Sequence, residues 1–541
     1  MQISNTDLII IICYFAFIMG LGCWAGLRKK KTEQASEYFL AGKSLRWPVI
    51  GLALFATNIS TVHLVSLAEE GYTNGLAYGN FEWMAPFALI ILALFFAPFY
   101  IRSNVTTLPD FLEKRYSRAS RDWLALLSII SAIFIHIGFS LYAGAVVLEG
   151  MFGINIMTSI ILIAALTGFY TIVGGLMAVV LTESVQTIIL LLGAIVLTAI
   201  SYVKIGGFSG IAENVDAVKL TVLRPHGDAS GLPWYSVLLG YPIIGIWYWC
   251  TDQTIVQRVL GAKDENHARV GPLFTGFIKI LPVFIFVLPG LICLALIHKG
   301  LLPALPLNTE GKVDAAKTYS HMIAHLLPIG IRGLVAAALM AALMSTVSGA
   351  LNSVATLFTY DLYKRWAPNT SQRRLVLIGR IVTFFGMILA VIWSPLCGHF
   401  KTIFQGINAA ICYIAPPITV VFVAGVFWKK ASSRGSFVTL VTGSLLGLAV
   451  FLLDWFKETT GWNIPFMMAS FYLACVCTVI MVVVSRLFPE PLTEQKLKLI
   501  WKSPLEPLRE KGWPGIGNYK LLSVILALCM IVLYFVFTFV V

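Results

Sequence analysis

Fourteen apolar runs follow one another along the chain, near residues 7–27, 47–68, 76–101, 123–152, 157–173, 176–203, 234–256, 271–298, 333–362, 376–396, 402–428, 435–454, 464–487 and 519–541. A helix needs about 20 such residues to cross the hydrocarbon core of a bilayer. In lipid each backbone N–H and C=O has to be satisfied internally, which leaves only helices and closed barrels as spanning structures. Runs of this length select the helix. An all-α integral membrane protein with about 14 transmembrane helices is therefore expected. Composition agrees, because 58% of residues are hydrophobic and only 12% are charged, against about 25% charged in a soluble domain.

The net charge of +13 could suit a nucleic acid, but the charges sit in short loops between the runs, so no nucleic-acid partner is expected. Cytoplasmic loops of membrane proteins carry an excess of Lys and Arg. With the N-terminus outside, the inner loops hold 28 Lys or Arg and the outer loops nine. That bias predicts both termini outside the cytoplasm. The outer loops near 204–233 and 299–332 are expected to form short interfacial helices, and 488–518 a basic cytoplasmic linker before a separate last helix. MQISNTD at the start lacks the basic region and cleavage site of a signal peptide, so the first run reads as a retained helix. Loops without long insertions suit a bacterial inner membrane, hence a multi-pass protein of the plasma membrane.

Other signals are weaker. The nine cysteines fall mostly in apolar runs and read as small hydrophobes, with no disulfide or zinc spacing. AGKS at 41–44 has Glu37 where a phosphate-binding loop needs Gly. Asn58-Ile59-Ser60 fits a glycosylation pattern but lies inside a membrane run. No HExxH, GxSxG or Cys/His cluster supports an enzyme, and no repeated filter loop supports a channel.

Ionisable side chains in lipid are costly and usually mark a pathway. His63, Glu82, His136 and Lys279 lie within runs, with Glu183 and Asp252 nearer their ends. Glu82 and Lys279 form either a structural ion pair or an acceptor and a donor for a neutral polyol. His63 is either a packing residue or a ligand, and His136, with no evident partner, reads as packing. Trp247, Tyr248 and Trp249 could belong to an interfacial aromatic belt. Followed by Cys250-Thr251-Asp252-Gln253 and Gln257-Arg258, they also offer the apolar face and polar rim that a sugar ring needs. Ser345 and Thr346 present adjacent hydroxyls, which either bond back to the preceding turn or serve a hard cation that needs clustered oxygens.

Six segments, in order, resemble the sodium/glucose cotransporter branch of the solute:sodium symporter family. They are EYFLAGKSLRWPVIGLALFATNIS at 37–60, GNFEWMA at 79–85, YTIVGGLMAVVLTESVQT at 170–187, WYWCTDQTIVQRVLGAK at 247–263, KILPVFIFVLPG at 279–290 and STVSGALNSVATLFTYDLYKR at 345–365. The resemblance implies a LeuT-like five-plus-five inverted repeat with broken first and sixth core helices and a substrate near the midplane. Its parts would be an extra helix within 1–30, a first repeat at 47–203, a second at 234–428 and three accessory helices in 435–541.

Carried over by position, the resemblance implies a substrate site of Asn58, His63, Glu82, Gly245, Tyr248, Trp249, Lys279 and Asn408. The outer gate would be Leu67, Phe81 and Phe404. The sodium ligands would be the carbonyls of Ala56, Ile59 and Ala342 and the hydroxyls of Ser345 and Thr346. Vertebrate glucose carriers have Thr at Gly245, Gln at Asn408 and Asp at Glu183. The first two departures bear on sugar identity and the third on any second sodium site. The expected activity is sodium-coupled import of a neutral sugar, a hexose such as glucose or galactose, by alternating access. The alternatives are myo-inositol or another polyol, then an amino acid or acidic sugar, with proton coupling through His63 the rival to sodium.

Overall fold

A computed structural model describes residues 4–27, 39–59, 61–228, 230–307, 311–399 and 403–540. Among them the structure is helical, with only isolated β-bridges. The helices are α1 (Asn5–Leu27), α2 (Trp47–Asn58), α3 (Thr61–Asn74) and α4 (Ala85–Ile91, continued by a π turn and Ala97–Arg102). Then come α5 (Arg118–Glu149), α6 (Ile156–Val173) and α7 (Gly175–Ile205). After the loop at 206–233 follow α8 (Trp234–Ile246), α9 (Gln253–Leu260) and α10 (Glu265–His298). The rest are α11 (Ile331–Leu357), α12 (Gln372–Trp393), α13 (Ile403–Phe427), α14 (Ser433–Trp455), α15 (Phe466–Leu487) and α16 (Tyr519–Phe535).

Eleven helices among the described residues are long and apolar enough to cross a membrane. Two of the fourteen predicted runs are each broken. Near 47–68, α2 stops at Asn58 because Ile59 takes extended angles (φ −80°, ψ 101°), and α3 begins two residues later. In 234–256, α8 passes into a π turn at Trp247–Thr251 and stops at Asp252 (φ −81°, ψ 124°), which then caps α9 by accepting the Thr254 N–H at 2.7 Å. The predicted boundary between the fifth and sixth runs is a kink at Gly175 (φ 58°, ψ −156°) in an otherwise continuous helix.

The two broken elements are tied together at one end. Leu45, just before α2, receives a hydrogen bond from Lys263 N and donates to Gly261 O, at 2.9 and 3.0 Å, just after α9. Elsewhere close approach depends on small residues, as is common between membrane helices. A Cβ on Gly71 of α3 would lie 2.0 Å from the Val287 carbonyl of α10, and one on Gly290 would lie 2.0 Å from the Ala68 carbonyl. Helix α1 is held to α11 by Asp7, whose Oδ1 accepts the Gly330 and Gly333 N–H groups at 2.8 Å each.

The segments at 204–233 and 299–332 contain short helices at Gly207–Ala212 and Thr318–Leu326. The segment at 488–518 is bonded to the helices beside it. Trp501 donates its backbone N–H to Val426 O and its indole N–H to Phe95 O, at 3.0 and 3.1 Å, and Glu510 pairs with Arg102 and Arg269.

A buried ion pair joins three helices. Arg258 of α9 donates Nη2 to Glu183 Oε1 of α7 at 2.6 Å and Nε to Oε2 at 3.3 Å, while Thr57 of α2 meets Oε1 at 2.8 Å. Both charged groups are fully buried. Gly349 of α11 makes their room, since a Cβ there would lie 2.2 Å from Arg258 Nη2. Removing one partner of such a pair strands a charge. Arg258→Ala is therefore expected to cost about 3–5 kcal/mol, seen as a lower midpoint in thermal unfolding of the detergent-solubilised protein. The Glu183→Ala, Arg258→Ala double variant should recover most of that loss. A single variant that melts like the parent would contradict the assignment.

Candidate functional site

The two breaks face one cavity. It holds about 950 Å³ of empty space, counting its open mouth. Its walls come from α2 and α3 (Thr57, Asn58, His63, Leu67), the turn before α4 (Phe81, Glu82) and α5 (Ile135, His136, Ser140). The rest is supplied by α8 and its π turn (Tyr241, Ile244, Gly245, Tyr248, Trp249), Thr346 of α11, and Ile407, Asn408 and Ile411 of α13.

A chain of hydrogen bonds runs along one wall. The Lys279 ammonium donates to Glu82 Oε2 and, at 2.6 Å, to Asn58 Oδ1. Asn58 Nδ2 in turn donates to the Tyr248 hydroxyl at 3.1 Å. Lys279 and Glu82 are each 1% exposed, so the pair is tolerable only because opposite charges and hydrogen bonds compensate desolvation. Lys279 also lies 5.6 Å from the Trp249 ring centroid and 6.0 Å from that of Phe55, where the aromatic faces attract a cation. It stands behind the wall rather than in it, and two of its three N–H donors are committed to Asn58 and Glu82. Glu82, Asn58 and Tyr248 are the groups the cavity exposes.

The structure thus brings Asn58, His63, Glu82, Gly245, Tyr248, Trp249 and Asn408 to one cavity, with Lys279 bonded to two of them. Of the expected gate, Leu67 and Phe81 line the same space. Phe81 stacks on Tyr78 and on Phe466 of α15, with centroids 5.9 and 6.3 Å apart, and its carbonyl accepts the Tyr241 hydroxyl at 2.9 Å. The Phe404 side chain lies outside the described residues. Gly245 leaves the Tyr241 ring its place, because a Cβ there would lie 2.8 Å from that ring.

The reading of His136 as packing is corrected. It lines the cavity, and its Nε2 lies 3.3 Å from Asp252 Oδ2. The available signal was its spacing from Ser140, since residues four apart share a helix face and both are polar within an apolar run.

Next to the cavity the break in α2 exposes backbone oxygen. In an unbroken helix the carbonyls of Ala56 and Thr57 would accept from residues four further on. The chain turns away at Ile59, and those carbonyls meet α11 instead. Ser345 Oγ lies 2.7 Å from Ala56 O and Thr346 Oγ1 lies 3.2 Å from Thr57 O. Neutral carbonyl and hydroxyl oxygens gathered at a helix break form a donor set for a hard monovalent cation. Ile59 is fully buried at the break itself, and Ala342 lies about one turn before Ser345 on α11. Thr346 borders this oxygen cluster and the larger cavity alike.

A model of the sodium:solute symporter family matches residues 38–443. The chain is 34% identical to sodium/myo-inositol cotransporter 2 of Oryctolagus cuniculus, over 94% of this chain and 80% of the relative. It is 35% identical to sodium/glucose cotransporter 2 of Rattus norvegicus, over 84% of this chain and 73% of the relative. Among solved structures, a substrate-bound, outward-open sodium-coupled sialic acid symporter superposes with a TM-score of 0.78 at 22% identity, covering 91% of this chain and all of that one.

Proposed function

Because the chain belongs to the sodium:solute symporter family, and so is a sodium-coupled solute symporter with the LeuT fold, we propose that its solute is a neutral sugar, a hexose such as glucose or galactose. The observation that carries this reading is the Lys279–Glu82–Asn58–Tyr248 chain in the cavity wall. A carboxylate, an amide and a phenol offer both acceptors and donors to hydroxyl groups, and Trp249 adds an aromatic face. The ammonium neutralises the carboxylate, so the wall has no spare positive charge for an anion. A cyclic polyol has the same chemistry, and the inositol cotransporters among the relatives favour myo-inositol as the second reading.

In this proposal sodium binds to the carbonyls of Ala56, Ile59 and Ala342 with the hydroxyls of Ser345 and Thr346. The hydroxyls give up their bonds to the carbonyls and turn their oxygens to the ion, which steadies the end of α2. Asn58 and His63 are then presented to the solute, with Glu82, Tyr248 and Asn408 reading its hydroxyls and Lys279 holding Glu82 and Asn58 in place. Leu67, Phe81 and Phe404 close over it from outside. The repeats at 47–203 and 234–428 rock about the site in alternating access, flanked by an extra helix within 1–30 and three accessory helices in 435–541. One charge moving down the membrane potential supplies about 2.3 kcal/mol per 100 mV, and its concentration gradient adds to that. The protein sits in the plasma membrane, a bacterial inner membrane, with both termini outside.

Uptake into proteoliposomes tests the chemistry. A sodium gradient should drive accumulation of a hexose or an inositol, and Glu82→Gln should raise the half-saturating solute concentration by about tenfold or more, the scale of a lost hydrogen bond to a charged group. Ser345→Ala combined with Thr346→Ala should abolish the sodium dependence. Sodium-driven uptake that survives the double variant would refute the ion site. Orientation is tested by single cysteines in a cysteine-free background. An impermeant thiol reagent on intact cells should label Lys312→Cys and spare Lys430→Cys, and the reverse pattern would invert the topology.

A further inference from the structure

One wall of the cavity has no part in the reading above, and that wall is built with care. We propose that His136 is a solute-contacting residue whose imidazole is set by Asp252, and that the pair ties solute binding to the break between α8 and α9. The proposal rests on the cavity being the solute site.

His136 sits in a π-helical stretch of α5, Ser131–Gly138. Such stretches widen a helix by one residue per turn and appear frequently at functional sites. This one puts Ile135 and His136 into the cavity wall, with Ser140 one turn later. It is braced from the opposite side, where Trp393 Nε1 donates to the Phe134 carbonyl at 3.1 Å. The imidazole also lies 6.3 Å, centroid to centroid, from Tyr248, so it faces the same space as the wall described above.

The carboxylate beside it fixes its chemistry. His136 Nε2 lies 3.3 Å from Asp252 Oδ2, and Asp252 Oδ1 accepts the Thr254 N–H at 2.7 Å. The hydrogen bond at one ring nitrogen decides where the proton resides. In a neutral imidazole with a carboxylate at Nε2 the proton stays there, and Nδ1 carries a lone pair. Nδ1 makes no hydrogen bond among the described residues. A largely buried acceptor in a polar cavity is satisfied by a donor from the solute, and a hydroxyl is such a donor. The solute is then held between Glu82 and Asn58 on one side and His136 on the other. Since one carboxylate serves both the imidazole and the first turn of α9, a shift of the ring is felt where the second broken helix restarts.

The test is initial-rate uptake into proteoliposomes at saturating sodium, using the better transported of glucose and myo-inositol, with half-saturation and maximal rate read separately. Three substitutions divide the imidazole. His136→Ala removes both nitrogens, His136→Gln keeps a donor near Nε2, and His136→Asn keeps an acceptor near Nδ1. His136→Ala should raise half-saturation by about tenfold, the scale of one lost hydrogen bond, with little change in maximal rate. His136→Asn should restore most of the affinity and His136→Gln should not. Asp252→Asn, nearly isosteric, places an N–H donor against Nε2, forces the proton to Nδ1 and should match His136→Ala even if that variant folds poorly. Asn58→Ala is measured alongside. Half-saturation unchanged in the His136 and Asp252 variants but raised in Asn58→Ala overturns this proposal alone. If Asn58→Ala leaves it unchanged as well, the cavity reading falls and the proposal with it.

Discussion

The break at the end of α2 is the constraint on which the rest depends. A helix in lipid satisfies its own carbonyls, and interrupting it at Ile59 leaves those of Ala56 and Thr57 in need of partners. The hydroxyls of Ser345 and Thr346 on α11 meet them at 2.7 and 3.2 Å. The same last turn ends in Asn58, which is bonded to both Lys279 and Tyr248 in the cavity wall. An oxygen cluster and a hydroxyl-reading surface therefore share one short piece of backbone. In the proposed mechanism that sharing is the physical basis of coupling, because a cation that orders the turn also orders Asn58.

The buried charges follow the same economy. Glu82 with Lys279 and Glu183 with Arg258 are compensated pairs joining helices distant in sequence. Glu183 also reaches Thr57, one residue from Asn58. The break is thus held on one side by the Arg258 pair and on the other by Lys279, and its geometry depends on α7, α9, α10 and α11 together. Both oxygens of Glu183 already face the Arg258 guanidinium, so a cation occupies the place beside the carboxylate in the form of a side chain.

Much of this was legible in the sequence, for a stated reason. Lipid makes an ionisable side chain expensive, so Glu82 and Lys279 stood out within apolar runs, and the structure bonds them to each other. Tyr248 and Trp249 stood out as an aromatic cluster beside polar residues. The resemblance supplied the breaks and the oxygen cluster, which hydropathy cannot detect, since a run interrupted by one extended residue is still apolar. What stayed hidden were partners far along the chain. Asp252 is 116 residues from His136 and Arg258 is 75 from Glu183, and no local pattern records either contact. The contacts of the linker at 488–518 stayed hidden for the same reason, since its polar composition does not reveal that Trp501 and Glu510 are bonded to other helices.

If ion and solute meet through one turn of backbone, their affinities must be linked, and linkage is reciprocal. The direct measurement is calorimetric titration of the purified protein with solute at several sodium concentrations, and with sodium at several solute concentrations. Sodium should tighten solute binding by some factor in the range of about 5–150, and solute should tighten sodium binding by the same factor. Solute affinity that stays constant from sodium-free buffer to saturating sodium would contradict the shared turn.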